Sequence, residues 1–150
     1  MKINIKRINP KAIIPTSGSE YSAGYDLYAC VGEGDGEYGE IFQSHETIMI
    51  GTGITMEIPN GYFGAIYARS GIANKRGLRP SCCVGVVDCD FRGEIKVSLH
   101  NDTNEIQYVE DGERIAQMVL ARVEKAMLIA TEDIGLTERG AGGFGHTGKQ

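Results

Sequence analysis

A two-residue alternation of apolar and other side chains recurs along this chain of 150 residues. In the longest run, every second side chain shares one face: Ile48, Ile50, Thr52, Ile54, Met56 and Ile58. Successive side chains of a β-strand point to opposite faces of its sheet, so this pattern predicts strands with one buried face. Shorter runs at 3–5, 95–99 and 115–123 repeat the pattern and predict further strands.

Turn-forming residues separate these runs, as in Pro59-Asn60-Gly61 and Asp111-Gly112. Only one short segment, near 70–76, is expected to be helical, with Ser70 as a possible N-cap and Gly77 at its end. Many short strands joined by turns are typical of rolls and barrels. The sequence therefore predicts an all-β fold, an antiparallel roll or jelly-roll-like barrel with one short helix.

Charge and composition exclude several classes of protein. Fifteen Lys and Arg against 20 Asp and Glu give a net charge of -5, which argues against non-specific nucleic-acid binding. No apolar stretch approaches the roughly 18 residues that span a membrane. The N-terminus lacks the apolar block of a signal peptide, so we expect a protein that is not secreted. We expect it in the cytoplasm, or in the nucleus if the source is eukaryotic or viral.

The four cysteines form no CxxC pair, which argues against a zinc site and favours free thiols in a reducing compartment. The chain ends in a segment rich in glycine, 139–150, which cannot hold regular structure cheaply. We therefore expect a single β domain over 1–138 and a flexible C-terminal arm over 139–150. The arm carries Arg139 and Phe144, side chains suited to binding a phosphate and a base.

Two segments carry residue types that suit phosphate chemistry. Arg69 and Ser70 lie at the predicted helix start, where free N–H groups and a guanidinium can bind a phosphate. The same pair is also an ordinary way to begin a helix. Asp88 follows an apolar strand and precedes a turn. Its carboxylate could act as a general base on water, or it could cap an Asx-turn.

Two polar residues lie within apolar strands. Gln117 shares the predicted inward face of Ile115 and Val119, and a buried amide without a partner costs about 1–3 kcal/mol. Either a backbone group or a ligand oxygen would satisfy it. Asp26 lies inside another apolar run. Its carboxylate could hold the waters of a hydrated Mg²⁺, or it could cap the end of the strand.

Five ordered segments together strongly resemble the motifs of the trimeric dUTPases, the deoxyuridine triphosphate nucleotidohydrolases. They are SAGYDLYA, ARSGIA, GVVDCDFRGEI, GERIAQMVL and RGAGGFGHTG, and they span 22–148. The resemblance implies the β-clip form of the predicted roll and a homotrimer with three active sites at subunit contacts. One subunit would give the first, second and fourth motifs, a second the hairpin of the third motif, and a third the arm.

The resemblance also implies an activity: hydrolysis of dUTP to dUMP and pyrophosphate with Mg²⁺. This reaction keeps uracil out of DNA and supplies dUMP for dTMP synthesis. Asp88 matches the base that deprotonates the attacking water, and Gln117 matches the amide near the α-phosphate. Asp26 resembles the acid that holds waters of the triphosphate-bound Mg²⁺. The resemblance further implies these substrate-binding residues: Arg69, Ser70, Gly71, Cys82, Val86, Val87, Phe91, Lys96, Arg139, Phe144 and Gly145.

Several of these residues match family positions that contact a particular part of the nucleotide. Val86 and Val87 match the hairpin positions that pair with the uracil edge. Phe91 takes the place of the aromatic residue, most often Tyr, that packs on the deoxyribose. Arg139 resembles the residue that reaches the γ-phosphate, and Phe144 resembles the ring that stacks over uracil when the arm closes.

Two other functions remain to be weighed. The dCTP deaminases share the fold, but their phosphate loop has a second serine where this chain has Gly71. Their deaminating glutamate is replaced here by Ser98, which argues against deamination. The second alternative is a non-catalytic or dual-role trimer that senses dUTP or binds a protein. Asp88 and the intact arm argue against loss of catalysis, whereas the acidic loop at 32–40 leaves an added binding role open. Cys82 stands where many relatives have Asn or Gly.

Overall fold

The computed structural model describes residues 1–31, 39–82 and 84–143. These residues form twelve strands and one helix, α1 (Ser70–Arg76). The first six strands are β1 (Asn4–Arg7), β2 (Thr16–Ser17), β3 (Tyr25–Tyr28), β4 (Glu40–Phe42), β5 (Thr47–Gly51) and β6 (Ile54–Glu57). The others are β7 (Tyr62–Tyr67), β8 (Leu78–Pro80), β9 (Gly85–Val87), β10 (Lys96–Asn101), β11 (Gln107–Val109) and β12 (Arg114–Arg122). The predicted all-β class is confirmed.

The strands pair antiparallel in four small sheets. The largest has the order β2-β3-β12-β7-β9, and a second has the order β5-β10-β8. Two-stranded ribbons, β1-β6 and β11-β4, complete the roll. The five-stranded sheet places β3, β12, β7 and β9 side by side, although β12 lies far from β3 in sequence. This sheet positions most of the residues predicted to be functional.

The alternation predicted the buried faces of the runs at 48–58 and 95–99, but in the run at 115–123 Ala116 and Met118 are buried rather than Gln117 and Val119. Ile95, Val97 and Leu99 are at most 2% exposed, whereas Lys96 between them is exposed. The long predicted run at 48–58 divides into β5 and β6, which belong to different sheets. The break lies at Gly53, whose φ of 65° is readily adopted by glycine. A β-carbon there would lie 2.8 Å from Cys30 Sγ, so close packing also requires glycine.

The helix lies where it was predicted, but its N-cap differs from the prediction. Arg69 is the N-cap and makes no side-chain capping bond, while Ser70 is the first helical residue. The expected capping role of Ser70 is therefore wrong. Gly77 ends the helix with a φ of 64°, the left-handed conformation expected of a C-terminal glycine. No helix of the described ranges is long and apolar enough to cross a bilayer.

Asn101 is a polar group within the core. It ends β10 and is wholly buried. Its Nδ2 donates to the carbonyls of Gln43 at 2.9 Å and Glu105 at 2.8 Å, and its Oδ1 accepts from Thr103 N at 3.0 Å. The amide therefore ties the loop after β10 to the strand end. The alternation predicts the strand but does not show which groups the residue at its end bonds.

Candidate active site

The residues predicted to be functional, apart from those of the arm, lie in two clefts of the chain. The polar cleft, of about 200 Å³, includes Asp26, Arg69, Ser70, Gly71 and Gln117 in its lining. The hairpin cleft, of about 390 Å³, includes Cys82, Val86, Val87, Asp88, Phe91 and Lys96 in its lining. The two clefts share no lining residue among those described. One chain therefore assembles the predicted site as two separate halves.

Strand pairing brings the polar cleft together. Asp26 on β3 lies directly opposite Gln117 on β12, and Gln117 lies opposite Tyr67 on β7. The chain leaves β7 after Tyr67 and reaches Arg69 two residues later, at the start of α1. Three segments that are distant in sequence thus meet at one end of the five-stranded sheet.

Asp26 is the centre of an ion-pair cluster. Its Oδ1 accepts from Arg69 Nε at 2.7 Å, and its Oδ2 lies 3.4 Å from Arg114 Nη1. The Asp26 side chain is 13% exposed, so the two guanidinium groups compensate a largely buried carboxylate. Asp26 lies within β3, and it does not cap the end of the strand. Sequence reasoning did not single out Arg114, although it lies inside the quoted segment GERIAQMVL.

Gln117 faces the polar cleft for a reason that the alternation could not show. The pairing of β12 with β3 shifts register between Arg114 and Ala116, and both Ile115 and Ala116 are buried. This β-bulge places Gln117 on the face opposite to Ala116, so its predicted shared face with Ile115 is wrong. Its Nε2 donates to the Ala68 carbonyl at 2.9 Å. The amide partner is thus a backbone group of the segment that leads to Arg69.

The hairpin cleft is built around an open strand edge. β9 pairs with β7 along one edge, and no described strand pairs with its other edge. Val86 on this strand is 61% exposed. Unpaired N–H and C=O groups of an edge strand can bind a ligand that presents matching groups. Phe91 is 45% exposed, and its ring covers Gly93, where a β-carbon would lie 2.6 Å from Cζ.

Asp88 presents a free carboxylate in the hairpin cleft. Its backbone carbonyl accepts from Phe91 N at 3.2 Å and so closes the turn after β9. No group of the described residues donates a hydrogen bond to its carboxylate oxygens, so the side chain does not form the Asx-turn that was the structural alternative. An exposed carboxylate without a partner can accept a proton from a bound water.

Lys96 is held at the hairpin cleft by a residue that sequence reasoning missed. Its Nζ lies 3.4 Å from Glu94 Oε2, and Glu94 Oε1 accepts from Gly53 N at 2.9 Å. A β-carbon at Gly51, the register partner of Lys96, would lie 2.5 Å from the same Oε1. Glu94 follows the turn glycine of the quoted hairpin segment, but its partners are remote in sequence.

The described residues of the arm, 139–143, lie in neither cleft. Arg139 is exposed, and its Nε donates to the carbonyl of Gly142 at 2.7 Å in a local turn. Phe144 and Gly145, both predicted to bind substrate, lie outside the described residues, as does most of the acidic loop at 32–40. Between β12 and this turn, five apolar side chains are at least 76% exposed: Met127, Leu128, Ile129, Ile134 and Leu136.

The clefts do not contain a metal site that the chain forms by itself. In the described ranges, no three His, Cys, Asp or Glu side chains lie close enough together to bind an ion. Asp26 is the one carboxylate among the described residues that line the polar cleft, and both its oxygens already face arginines. These residues do not fit a resident Mg²⁺, because the one carboxylate offers no oxygen that is not already paired with an arginine. A metal in this cleft would have to arrive with an anionic ligand.

Comparisons with known proteins agree with the fold and the segments quoted above. The family model described as dUTPase matches residues 10–148. The deoxyuridine 5'-triphosphate nucleotidohydrolase of Nautilia profundicola is 44% identical, covering 99% of this chain and 100% of that protein. The protein of the same name from Yarrowia lipolytica is 40% identical, covering 99% of this chain and 90% of that one.

Solved structures give the same result. The dUTPase of Staphylococcus bacteriophage 80alpha with dUPNHPP superposes with a TM-score of 0.85 at 26% identity, covering 99% of each chain. A dUTPase of phage phi11 superposes with a TM-score of 0.77 at 20% identity, covering 89% of this chain and 98% of that one. At this lower identity, the likeness shows the fold alone.

Proposed function

The chain belongs to the dUTPase family, and we propose that it hydrolyses dUTP to dUMP and pyrophosphate. The observation that carries the proposal is the free carboxylate of Asp88 beside the open edge of β9. This arrangement supplies a base for water next to a surface that can read a nucleobase. In the cell, the reaction would keep uracil out of DNA and supply dUMP for dTMP synthesis, in the cytoplasm or the nucleus.

The hairpin cleft would bind the nucleoside. The edge groups of Val86 and Val87 would pair with the uracil edge and distinguish it from cytosine by donor pattern, and a narrow hairpin would reject a 5-methyl group. Phe91 would pack on the deoxyribose and exclude a 2′-hydroxyl. Cys82 and Lys96 line the same cleft and would contact the substrate there.

Asp88 would start the chemistry. Its carboxylate takes one proton from a water, whose oxygen attacks the α-phosphorus while the bond to the α–β bridging oxygen breaks. The water oxygen stays in dUMP, and pyrophosphate leaves with the bridging oxygen. Gln117 would lie near the α-phosphate, where its bond to Ala68 fixes the amide. No covalent enzyme intermediate is needed.

The polar cleft would bind the triphosphate. Arg69 supplies a guanidinium, and Ser70 and Gly71 lie at the first turn of the helix, where N–H groups have no helical acceptor. The substrate would arrive as its Mg²⁺ complex, and the metal neutralises phosphate charge when bound. The family resemblance assigns Asp26 to waters of that metal, a task at odds with its two arginine partners in this chain. The arm over 139–150 would close over the 1–138 domain and bring Arg139, Phe144 and Gly145 to the nucleotide.

We further propose a homotrimer with shared sites. The described linings of the polar and hairpin clefts share no residue, so a site that holds both ends of dUTP would combine clefts of two subunits. The exposed apolar side chains at 127–136 support contact with another copy, because such a run is costly in water. The hairpin cleft also argues against deamination: Ser98, which accepts from Ser81 Oγ at 2.8 Å, lies where a deaminase would need glutamate.

Hydrolysis in ¹⁸O-labelled water tests the activity. We expect dUTP to yield pyrophosphate and dUMP with the label in dUMP, and we expect little product from dCTP, dTTP or UTP. Label in pyrophosphate would contradict attack at the α-phosphorus. Tight binding of dUTP without products would contradict hydrolysis and favour the sensing trimer.

Mixing two inactive variants tests the shared sites. Asp88→Asn removes the base of the hairpin cleft, and Arg69→Gln removes the cation of the polar cleft. If the clefts of two subunits combine, about a quarter of the sites in a randomly mixed trimer contain both intact residues. We therefore expect activity to reappear on mixing and subunit exchange. Continued inactivity, with exchange shown by mass spectrometry, would indicate sites within single chains.

A further inference from the structure

We propose that Asp26 is a positioning residue that fixes the guanidinium of Arg69 for phosphate binding, and that it does so without a metal. This inference rests on the proposed function of the polar cleft. The main task of Asp26 is then to hold the two arginines beside it. Arg69 is its first partner, and Arg114 is a second partner of the same carboxylate.

Both oxygens of Asp26 are in use. Oδ1 accepts from Arg69 Nε at 2.7 Å, a short charge-assisted hydrogen bond, and Oδ2 lies 3.4 Å from Arg114 Nη1. The carboxylate is 13% exposed and the Arg69 side chain 24%, so this ion pair is only weakly screened, whereas the half-exposed Arg114 interacts more weakly. A hydrated Mg²⁺ would have to compete for oxygens that two guanidinium groups already occupy.

The ion pair leaves part of Arg69 free for a ligand. Its Nη1 lies 3.5 Å from the Arg114 carbonyl, which is a weak contact. Its Nη2 makes no hydrogen bond to a described residue. Asp26 thus holds the guanidinium by Nε and leaves Nη2 for a phosphate oxygen. A long side chain that is already fixed loses less conformational entropy when its ligand binds. Without Asp26, the 3.5 Å contact would be the only one among the described residues to hold the Arg69 guanidinium.

The rest of the cleft supports the same role. Asp26 lies in the sheet opposite Gln117, and Gln117 bonds the Ala68 carbonyl, one residue before Arg69. The backbone before Arg69 and the guanidinium of Arg69 are therefore each tied to one of two neighbouring strand residues. The carboxylate fixes the cation itself, whereas the amide fixes the chain that carries it.

Binding of the imido analogue dUpNHpp to Asp26→Asn tests the proposal. Calorimetry measures this binding once with Mg²⁺ and once with EDTA. Loss of a carboxylate beside a triphosphate would by itself strengthen binding, since like charges repel. Loss of the positioned arginine would weaken it. We expect affinity about 10- to 100-fold weaker than wild type, by a similar factor in both conditions, as lost charge-assisted hydrogen bonds imply.

A double variant separates positioning from direct contact. If Asp26 acts through Arg69, then Asp26→Asn with Arg69→Gln should bind no more weakly than Arg69→Gln alone. Arg114→Gln should weaken binding less than Asp26→Asn, because its contact with Asp26 is longer. Asp102→Asn is the matched control: Asp102 pairs with Arg79 outside both clefts, and its loss should leave affinity for dUpNHpp unchanged. Thermal unfolding of each variant checks that the fold is intact.

Two results would overturn the inference. One is an affinity of Asp26→Asn that equals or exceeds wild type in EDTA and falls only with Mg²⁺, which would assign Asp26 to the metal. The other is an additive loss in the double variant. In both cases, a wild type that binds dUpNHpp and hydrolyses dUTP would leave the proposed function standing. A wild type that did neither would contradict the function itself.

Discussion

Gly24 lies against the side-chain amide of Gln117, so that a β-carbon at residue 24 would be 2.7 Å from Gln117 Oε1. Gly24 immediately precedes β3, and Gln117 on β12 lies opposite Asp26 on β3. The segment before β3 can therefore approach the amide only because residue 24 has no side chain. An added β-carbon at this distance would force either residue 24 or the Gln117 amide to move.

Gly24→Ala should lower kcat for dUTP with little change in stability. The added methyl group displaces the Gln117 amide and weakens its bond to Ala68, and a small misplacement in an active site costs on the order of 100-fold in rate. Steady-state kinetics with urea unfolding checks this. Gly135→Ala, where a β-carbon meets nothing within 4 Å, is the control. Unchanged kcat in Gly24→Ala would show that the amide position does not matter.

Phe91 should control selection against a 2′-hydroxyl. Phe91→Ala removes the ring that covers Gly93, and we expect the ratio of kcat/KM for dUTP over UTP to fall about 10-fold, the scale of discrimination by small pocket contacts. Phe91→Tyr keeps the ring and should keep the ratio. Steady-state kinetics with dUTP and UTP measures this ratio in each variant. An unchanged ratio in Phe91→Ala would show that another residue selects the sugar.

Asn101 should be essential for stability but not for chemistry. Asn101→Leu keeps the number and branching of the side-chain heavy atoms but removes four hydrogen bonds, two to the carbonyls of Gln43 and Glu105 and two from the N–H and Oγ1 of Thr103. We expect a loss of about 3–5 kcal/mol in the free energy of unfolding. Urea unfolding at one fixed protein concentration measures it. The exposed Asn104, changed to Leu, should cost less than about 1 kcal/mol. Equal losses would contradict the buried network.

Alkaline pH should destabilise the fold through Cys30. Burial raises the pKa of the Cys30 thiol above 9.0, and the nearby carboxylates of Asp111 and Glu94 raise it further. In the unfolded chain the thiol ionises first, so the folded state binds more protons and its stability falls as pH rises above about 9. The free energy of unfolding should therefore drop more between about pH 8 and pH 10 in wild type than in Cys30→Ala.

Reaction with iodoacetamide gives a second measure of the same thiol. At about pH 8, Cys82 is exposed and should be alkylated well before the buried Cys30, whose thiol stays protonated. Peptide mass spectrometry distinguishes the two. Equal alkylation rates at Cys30 and Cys82 would contradict the raised pKa. So would a free energy of unfolding that falls with pH as steeply in Cys30→Ala as in wild type.

The sequence predicted the buried faces because strand geometry imposes a two-residue period. Ile95, Val97 and Leu99 are buried as expected, and the helix ends at Gly77 as expected. The period fails where backbone geometry breaks it. The bulge before Ala116 reverses the face of Gln117, and no side chain in the pattern marks it.

Pairing between distant residues was the other limit. Arg114 and Glu94 lie inside segments that resemblance had already picked out, yet their partners, Asp26 and Gly53, are far along the chain. Likewise, the strand pattern could not show that Asp88 and Arg69 belong to two separate clefts, a division that only the family resemblance implied. Such relations depend on how sheets pack, which local sequence does not encode.

Release of pyrophosphate from dUTP by wild type and Asp88→Asn, with Mg²⁺ present, tests the central claim most directly. Asparagine keeps the size of the side chain but cannot take the proton. We expect rapid release by wild type and at least a roughly 100-fold slower rate in the variant, the contribution of a general base, with binding of dUpNHpp retained. A variant that releases pyrophosphate at the wild-type rate would show that Asp88 is not the base.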